Sequence, residues 1–232
     1  MVDPLDRLLA EIGSLPAPSS RPAVTLTYAQ TLDGCIATAE RTALAISSPA
    51  SQLLTHRLRA QHDALLIGVG TVLADNPRLT VRLVEGPDPR PIVLDTAART
   101  PPESQLLRGP LSPWILCAPD APLDRRRRLE AAGARLLETP RAADGRLDLL
   151  AGLRLLRSVG LEHLMVEGGA SVIASFLHAR VVDGVLLTIA PRWESGLPAV
   201  QADGFKLELE QPIWLSLDTD GIVFGRPRGG RA

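Results

Sequence analysis

Three unbroken apolar runs constrain this chain more than any other feature: Ala64 to Val69, Pro91 to Leu94 and Trp114 to Ala118. A strand with one face in water alternates apolar and polar residues, so runs this continuous belong to strands buried on both faces. Such strands need helices on either side, and the sequence between them supplies those helices. Pro49 to Gln61 is a predicted helix, with Ser48 as N-cap and Pro49 at the first helical position. Asp124 to Ala132, Leu147 to Val159 and Ala170 to Ala179 are predicted helices too. Strands are expected at Val24 to Tyr28, Arg135 to Glu138, His163 to Glu167 and Val182 to Ile189. From Phe205 onward the sequence reads as two or three antiparallel strands, and residues 101–113 as a loop within one domain. The expected fold is α/β: a mostly parallel sheet flanked by helices, with antiparallel strands at the C-terminal end.

Leu5, Leu8, Leu9 and Ile12 follow helical spacing, and Gly13 to Pro22 is rich in Pro, Ser and Ala. The division expected is an N-terminal helix and linker over 1–22 and one domain over 23–232. A helix this short is unstable alone, so it docks on the body or on a partner subunit, or it frays.

Composition excludes several functions. The 232 residues carry a net charge of −1, so no bulk field favours nucleic acid or an anionic membrane. No apolar run reaches the roughly 18 residues of a membrane span. Cys35 and Cys117 form neither a CxxC pair nor a disulfide framework, and the acidic N-terminus is unlike a secretion signal. A cytoplasmic protein is expected. His56, His62, His163 and His178 show no metal-ligand spacing, and no GxSxG, Walker loop or zinc deaminase motif occurs.

Three segments can carry chemistry. In Leu164-Met165-Val166-Glu167-Gly168-Gly169-Ala170-Ser171 a buried strand runs through two glycines into a helix. Glycines allow close backbone approach, and a helix N-terminus offers free N–H groups to a phosphate. A tight turn without a ligand fits the same pattern. Glu167 is the unexpected residue, an acid at the C-terminal end of a buried strand, where open α/β sheets place ligands. In Gly68 to Pro77, Leu73 stands where a dinucleotide fingerprint needs its third glycine. What remains is a strand ending in a glycine loop, with Thr71 either a helix N-cap or, with Asp75 on the same helical face, part of a site. Tyr28 to Gly34 closes a strand with an Asp-Gly turn, and alone it reads as an ordinary loop. Arg59 and Arg82 are candidate phosphate ligands through forked hydrogen bonds. The run Arg125 to Arg128 reads as a solvated helix face.

Taken together, Thr25 to Gly34, His56 to Ala60, Asp63 to Pro77, Pro91 to Asp95, Met165 to Gly169 and Val182 to Pro191 resemble the riboflavin-biosynthesis pyrimidine reductases. These are dihydrofolate-reductase-like domains that follow a deaminase in bifunctional bacterial enzymes and stand alone in fungi and archaea. The resemblance implies reduction of the ribose C1′ of a ribosylamino-pyrimidine 5′-phosphate with hydride from NADPH, and a homodimer. It places Glu167 and Asp75 in the catalytic machinery. Ala29, Ala45, Thr71, Asp75, Thr96, Gly168, Gly169, Ala170, Ser171 and Val172 fall on cofactor-binding positions. Arg59, Leu79, Arg82 and Glu167 fall on substrate-binding positions. Thr27, Cys35 and Arg41-Thr42-Ala43 depart from the bacterial bifunctional pattern, and the first strand and the Met165 to Pro191 region look closer to the stand-alone fungal and archaeal enzymes, which reduce before deamination. That brings the diamino pyrimidine forward as substrate beside its deaminated form. Two further readings stand beside this one: a sibling reductase of the same fold acting on a pteridine or other heterocycle, and a non-catalytic nucleotide-binding protein.

Overall fold

The computed structural model describes residues 3–40, 42, 44–200 and 206–229. A nine-stranded sheet forms its centre, in the order β10-β11-β8-β1-β7-β3-β4-β5-β6. The parallel strands are β1 (Ala23–Thr31), β3 (Ala64–Gly68), β4 (Arg90–Leu94), β5 (Trp114–Cys117), β6 (Arg135–Glu138), β7 (His163–Gly168) and β8 (Gly184–Ala190). Two antiparallel strands, β11 (Asp220–Pro227) and β10 (Leu209–Leu217), extend the sheet beyond β8. The fold class read from the sequence is therefore the one observed.

Alternate residues of each central strand feed opposite cores. Leu65 and Ile67 of β3 and Met165 of β7 pack on one side. There they meet α1 (Pro4–Gly13), α2 (Pro49–Gln61), α3 (Val69–Asp75) and α4 (Leu123–Ala131). Ala64, Leu66, Leu164 and Val166 face the other way, against α5 (Leu149–Ser158) and α6 (Ala170–His178). This two-sided burial is the reason the strands lack alternation.

The N-terminal helix docks on this chain's own body: Leu8, Leu9 and Ile12 are buried within the first core. Arg21 fixes the linker behind it. Its guanidinium pairs with Asp183 at 2.6 and 3.0 Å, and the same carboxylate accepts the N–H of Val24 at 2.8 Å. Val182 and Asp183, expected within a strand, belong instead to this connection, and β8 begins at Gly184.

Several boundaries differ from expectation for local reasons. Thr71 is not an N-cap: α3 starts at Val69 with Gly68 as its cap, which places Thr71 inside the helix. β1 continues through Thr31, beyond the expected Tyr28, because β8 pairs with it as far as Thr31↔Ala190. α5 starts at Leu149, where Asp148 accepts the N–H of Ala151 at 3.0 Å. A short ribbon of β2 (Cys35–Ala37) with β9 (Leu197–Pro198) was not legible in the sequence. Phe205, the expected start of the tail, lies outside the described residues, and two strands follow it. Among the described residues no helix is long and apolar enough to cross a membrane.

Because Leu8 is fully buried, Leu8→Ala is expected to lower unfolding free energy by about 2–5 kcal/mol. Urea denaturation measures this, and an unchanged midpoint would show α1 to be dispensable to the core.

Candidate active site

All parallel strands end on one edge, and there the chain turns into helices and loops. β7 leaves the sheet irregularly. Its pairing with β3 runs Ala64↔Leu164, Leu65↔Met165 and Leu66↔Val166, then jumps to Ile67↔Gly168. Glu167 is the extra residue. A bulge of this kind re-aims a side chain that the pleat would otherwise bury. The carboxylate meets Arg59 from α2, with Nε–Oε1 at 2.6 Å and Nη2–Oε2 at 2.7 Å. Both side chains keep some water access, at 13% and 17% exposure. The third guanidinium nitrogen of Arg59, Nη1, donates to the carbonyl of Thr80 at 3.1 Å. Burial works against the charge of Arg59, and the attraction of Glu167 more than offsets it, so its pKa is raised.

After Glu167 come two glycines with φ of 93° and 75°, which lie in the left-handed region. A Cβ on Gly169 would lie 2.9 Å from the Thr71 hydroxyl, and one on Gly168 would lie 2.9 Å from Ile173. The turn thus brings α3 and α6 together, and Thr71 Oγ1 donates to the Gly168 carbonyl at 3.4 Å. No side chain caps the N-terminus of α6. Ala170, Ser171 and Val172 form its first turn, and the helix expected over Ala170 to Ala179 is observed over Ala170–His178. An open cleft of about 660 Å³ lies between residues 142–150 and α6, lined in part by Ala170, Ser171 and Ser175. It includes neither Glu167 nor Arg59.

The remaining predicted positions surround this centre unevenly. Asp75 ends α3, four residues after Thr71, and lost hydration raises its carboxyl pKa. It takes no part in the Arg59–Glu167 cluster. Thr96 follows β4 in a turn held by Asp95, which accepts the N–H and hydroxyl of Thr100 at 2.6 and 2.8 Å. Ala29 lies near the end of β1 opposite Thr188. Ala45 is exposed, and its carbonyl accepts Arg192 Nη2 at 2.9 Å. Arg41 and Ala43 lie outside the described residues. Leu79 is the position least like its expected role: its side chain is buried in the apolar core. Arg82 is exposed and donates to Thr80 Oγ1 at 2.8 Å.

Sequence reasoning gave no role to His56, Thr80, Asp88 or Arg192. His56 and Arg192 contact backbone groups 26 and 147 residues away, and Thr80 accepts Arg59 from 21 residues away, a signal that no local motif carries; Asp88 holds the Val81 N–H within one loop. Asp33 of the Asp-Gly turn is similar. It accepts the Thr31 hydroxyl at 2.5 Å and the N–H of Ser195 at 2.7 Å, which together lower its pKa to about 2. Among the described residues, no group of three or more His, Cys, Asp or Glu is placed to hold a metal ion.

A parallel sheet covered on both faces carries an arginine-held carboxylate and a glycine turn at its C-terminal edge, where open α/β sheets place their ligands. The chain belongs to the RibD C-terminal domain family, whose model matches residues 22–220. Over 211 residues it is 37% identical to the 2,5-diamino-6-ribosylamino-4(3H)-pyrimidinone 5′-phosphate reductase of Methanothermobacter thermautotrophicus. That match covers 85% of this chain and 95% of the relative. The structure of the Saccharomyces cerevisiae riboflavin biosynthesis reductase Rib7 superposes with a TM-score of 0.80 at 26% identity, covering 97% of this chain and 100% of that one. Dihydrofolate reductase from Enterococcus faecalis shares the fold, with a TM-score of 0.50 at 14% identity over 89% of this chain and 96% of its own.

Two buried histidines make stability depend on pH. His62 Nδ1 contacts the Leu58 carbonyl at 2.7 Å and Nε2 contacts the Thr25 hydroxyl at 2.9 Å, so Nδ1 carries the single proton. His56 Nδ1 accepts the Arg82 N–H at 2.9 Å. Burial lowers both pKa values, so the unfolded chain binds protons more readily than the folded one. Their contribution is complete above the unfolded value, about 6.5, and is lost as pH falls below it. A denaturation midpoint no lower at pH 5.5 than at pH 7.5 would contradict this.

Proposed function

We propose that this chain reduces a ribosylamino-pyrimidine 5′-phosphate at the ribose C1′, with NADPH as reductant, in riboflavin biosynthesis. The observation that carries this reading is the placement of Glu167, held by Arg59 on a bulge directly before the Gly168-Gly169 turn into α6. Its diamino form is the preferred substrate, as in the name of the archaeal relative, which this chain matches over nearly all of its length.

The residues present fit the cofactor. The start of α6 has no side-chain cap, so its first N–H groups suit a pyrophosphate, and the two positive-φ glycines, packed against Ile173 and Thr71, make the tight turn that brings it to the sheet edge. Gly168, Gly169, Ala170, Ser171 and Val172 would hold it there, with Thr71, Asp75 and Thr96 around it and Ala29 and Ala45 toward the nicotinamide. When bound, NADPH supplies a hydride. The sugar reacts after its C1′–O4′ bond opens, the nitrogen giving up its proton and O4′ gaining one, to leave a C1′=N imine that takes hydride at carbon and a proton from solvent at nitrogen. The protein's part is positioning. Both carboxylate oxygens of Glu167 retain a lone pair beyond the Arg59 bonds, so they accept hydrogen bonds from the ribose hydroxyls and orient C1′. Arg82 binds the phosphate, while Arg59 both steadies Glu167 and adds positive charge beside it. Leu79, whose side chain is in the core, would meet the substrate only through its backbone.

We also propose a homodimer in the cytoplasm, the latter because Cys35 and Cys117 are free thiols. Light scattering at micromolar concentration is expected to give about twice the 24.8 kDa chain mass, and a monomer mass would refute the dimer.

NADPH oxidation with the diamino and deaminated pyrimidines offered separately tests the main reading. Turnover is expected with the diamino compound. Inertness toward both would refute the reading. Glu167→Gln is expected to lower kcat/KM by about 10²-fold or more while NADPH binding is kept. Unchanged turnover would remove Glu167 from its role.

A further inference from the structure

The segment that carries Arg82 is held in place through its backbone, by Arg59 and by two groups outside the Arg59–Glu167 pair, Asp88 and His56. Residue 79 starts it in an unfavourable way: Leu79 has φ of 57°, a left-handed value that a branched side chain adopts only when its surroundings impose it. The next three residues are each tied down through the backbone. The Thr80 carbonyl accepts Arg59 Nη1 at 3.1 Å. The Val81 N–H donates to Asp88 Oδ1 at 2.6 Å. The Arg82 N–H donates to His56 Nδ1 at 2.9 Å. His56 and Arg59 are three residues apart on α2, hence on one helical face. His56 itself is buried, at 5% exposure.

We propose that His56 is a positioning residue for phosphate recognition: its neutral imidazole fixes the Arg82 backbone, and so aims the Arg82 guanidinium at the substrate's 5′-phosphate. This rests on the reading of Arg82 as a phosphate ligand. The hold depends on protonation. Nδ1 accepts only while its lone pair is free, so the one ring proton sits on Nε2. A second proton turns Nδ1 into a donor facing a donor, and the bond is lost. It also sets a third cation beside two arginines. The charged groups around the ring are Arg59 on its own helix, Glu167 from β7, and Arg82 and Asp88 from the segment after α3. Burial first, then the two arginines, lower the imidazole pKa, against the opposite pull of Glu167 and Asp88. At neutral pH the ring is therefore uncharged and the segment is fixed. Acidification releases it.

The test uses the full chain with NADPH and the pyrimidine phosphate it turns over. His56→Leu removes the acceptor, and His56→Gln offers an acceptor that cannot titrate. At pH 7.5 His56→Leu is expected to raise KM for the pyrimidine phosphate about tenfold or more, with kcat within about twofold and NADPH affinity unchanged. His56→Gln is expected to recover part of the loss. Between pH 7.5 and 5.5, wild-type KM should climb more steeply than that of His56→Gln. The substrate's own phosphate, with a second ionisation near pH 6, affects both proteins alike. Equal KM for wild type and His56→Leu, or superimposable pH profiles for wild type and His56→Gln, would overturn the proposal. If His56→Leu does not fold, the profile comparison decides. Should wild type turn over neither pyrimidine, binding of ribose 5-phosphate by calorimetry replaces KM. Affinity about tenfold weaker in His56→Leu would then sustain His56 while the reductase reading falls. Equal affinity, or no binding by wild type, would overturn the proposal as well.

Discussion

A parallel sheet covered by helices on both faces leaves a ligand no face to bind, and this constraint arranges everything else in the molecule. Of its central strands, only the ends remain in contact with water. At the C-terminal edge β3 and β7 lie side by side, and each turns straight into a helix, α3 and α6. Gly68 allows those helices to crowd together, because a Cβ there would lie 2.7 Å from Val172. The candidate site is therefore built from the groups that two adjacent strand-to-helix turns cannot bury. The apolar interior stabilises the protein, and the edge is left free for polar chemistry.

Two of the arginine–carboxylate pairs, Arg21–Asp183 and Arg59–Glu167, show how differently the same interaction serves in these places. Arg21 and Asp183 are locked away from the edge, and the carboxylate is shared with a backbone N–H, so the pair acts as a clasp on the linker. Removing one partner would leave a buried charge unpaired, the costly outcome for such pairs. Arg59 and Glu167 keep partial contact with water. Their desolvation is incomplete, so the carboxylate can exchange hydrogen-bond partners with an incoming sugar without stranding a charge.

Much of this was legible in the sequence, and the limits have physical causes. The apolar runs gave β3, β4 and β5 because two-sided burial forbids alternation. The two glycines after Glu167 marked the turn, since both need positive φ. Glu167 stood out because an acid ends a buried strand. The pairing of Arg59 with Glu167 was not legible, because it joins residues 108 apart through α2 and β7. Thr71 was misread as a possible cap because Gly68 ends the strand without any side-chain signal. The β2–β9 ribbon was missed because its few residues show no period, and it exists through long-range contacts such as Asp33 with Ser195. Leu79 matched a substrate position in the sequence, yet its side chain belongs to the core, a distinction that only packing reveals.

The bulge on β7 has a consequence for how such a site can change over time. An extra residue in a strand belongs to neither of the two alternating faces. Substitution at Glu167 therefore leaves both cores with the same volumes to fill, whereas a change at Val166 or Met165 forces one of them to repack. Chemistry at the sheet edge is in this way uncoupled from the architecture that supports it. New side chains can be tried at position 167 on a scaffold that stays folded, and the reaction can drift while the sheet does not.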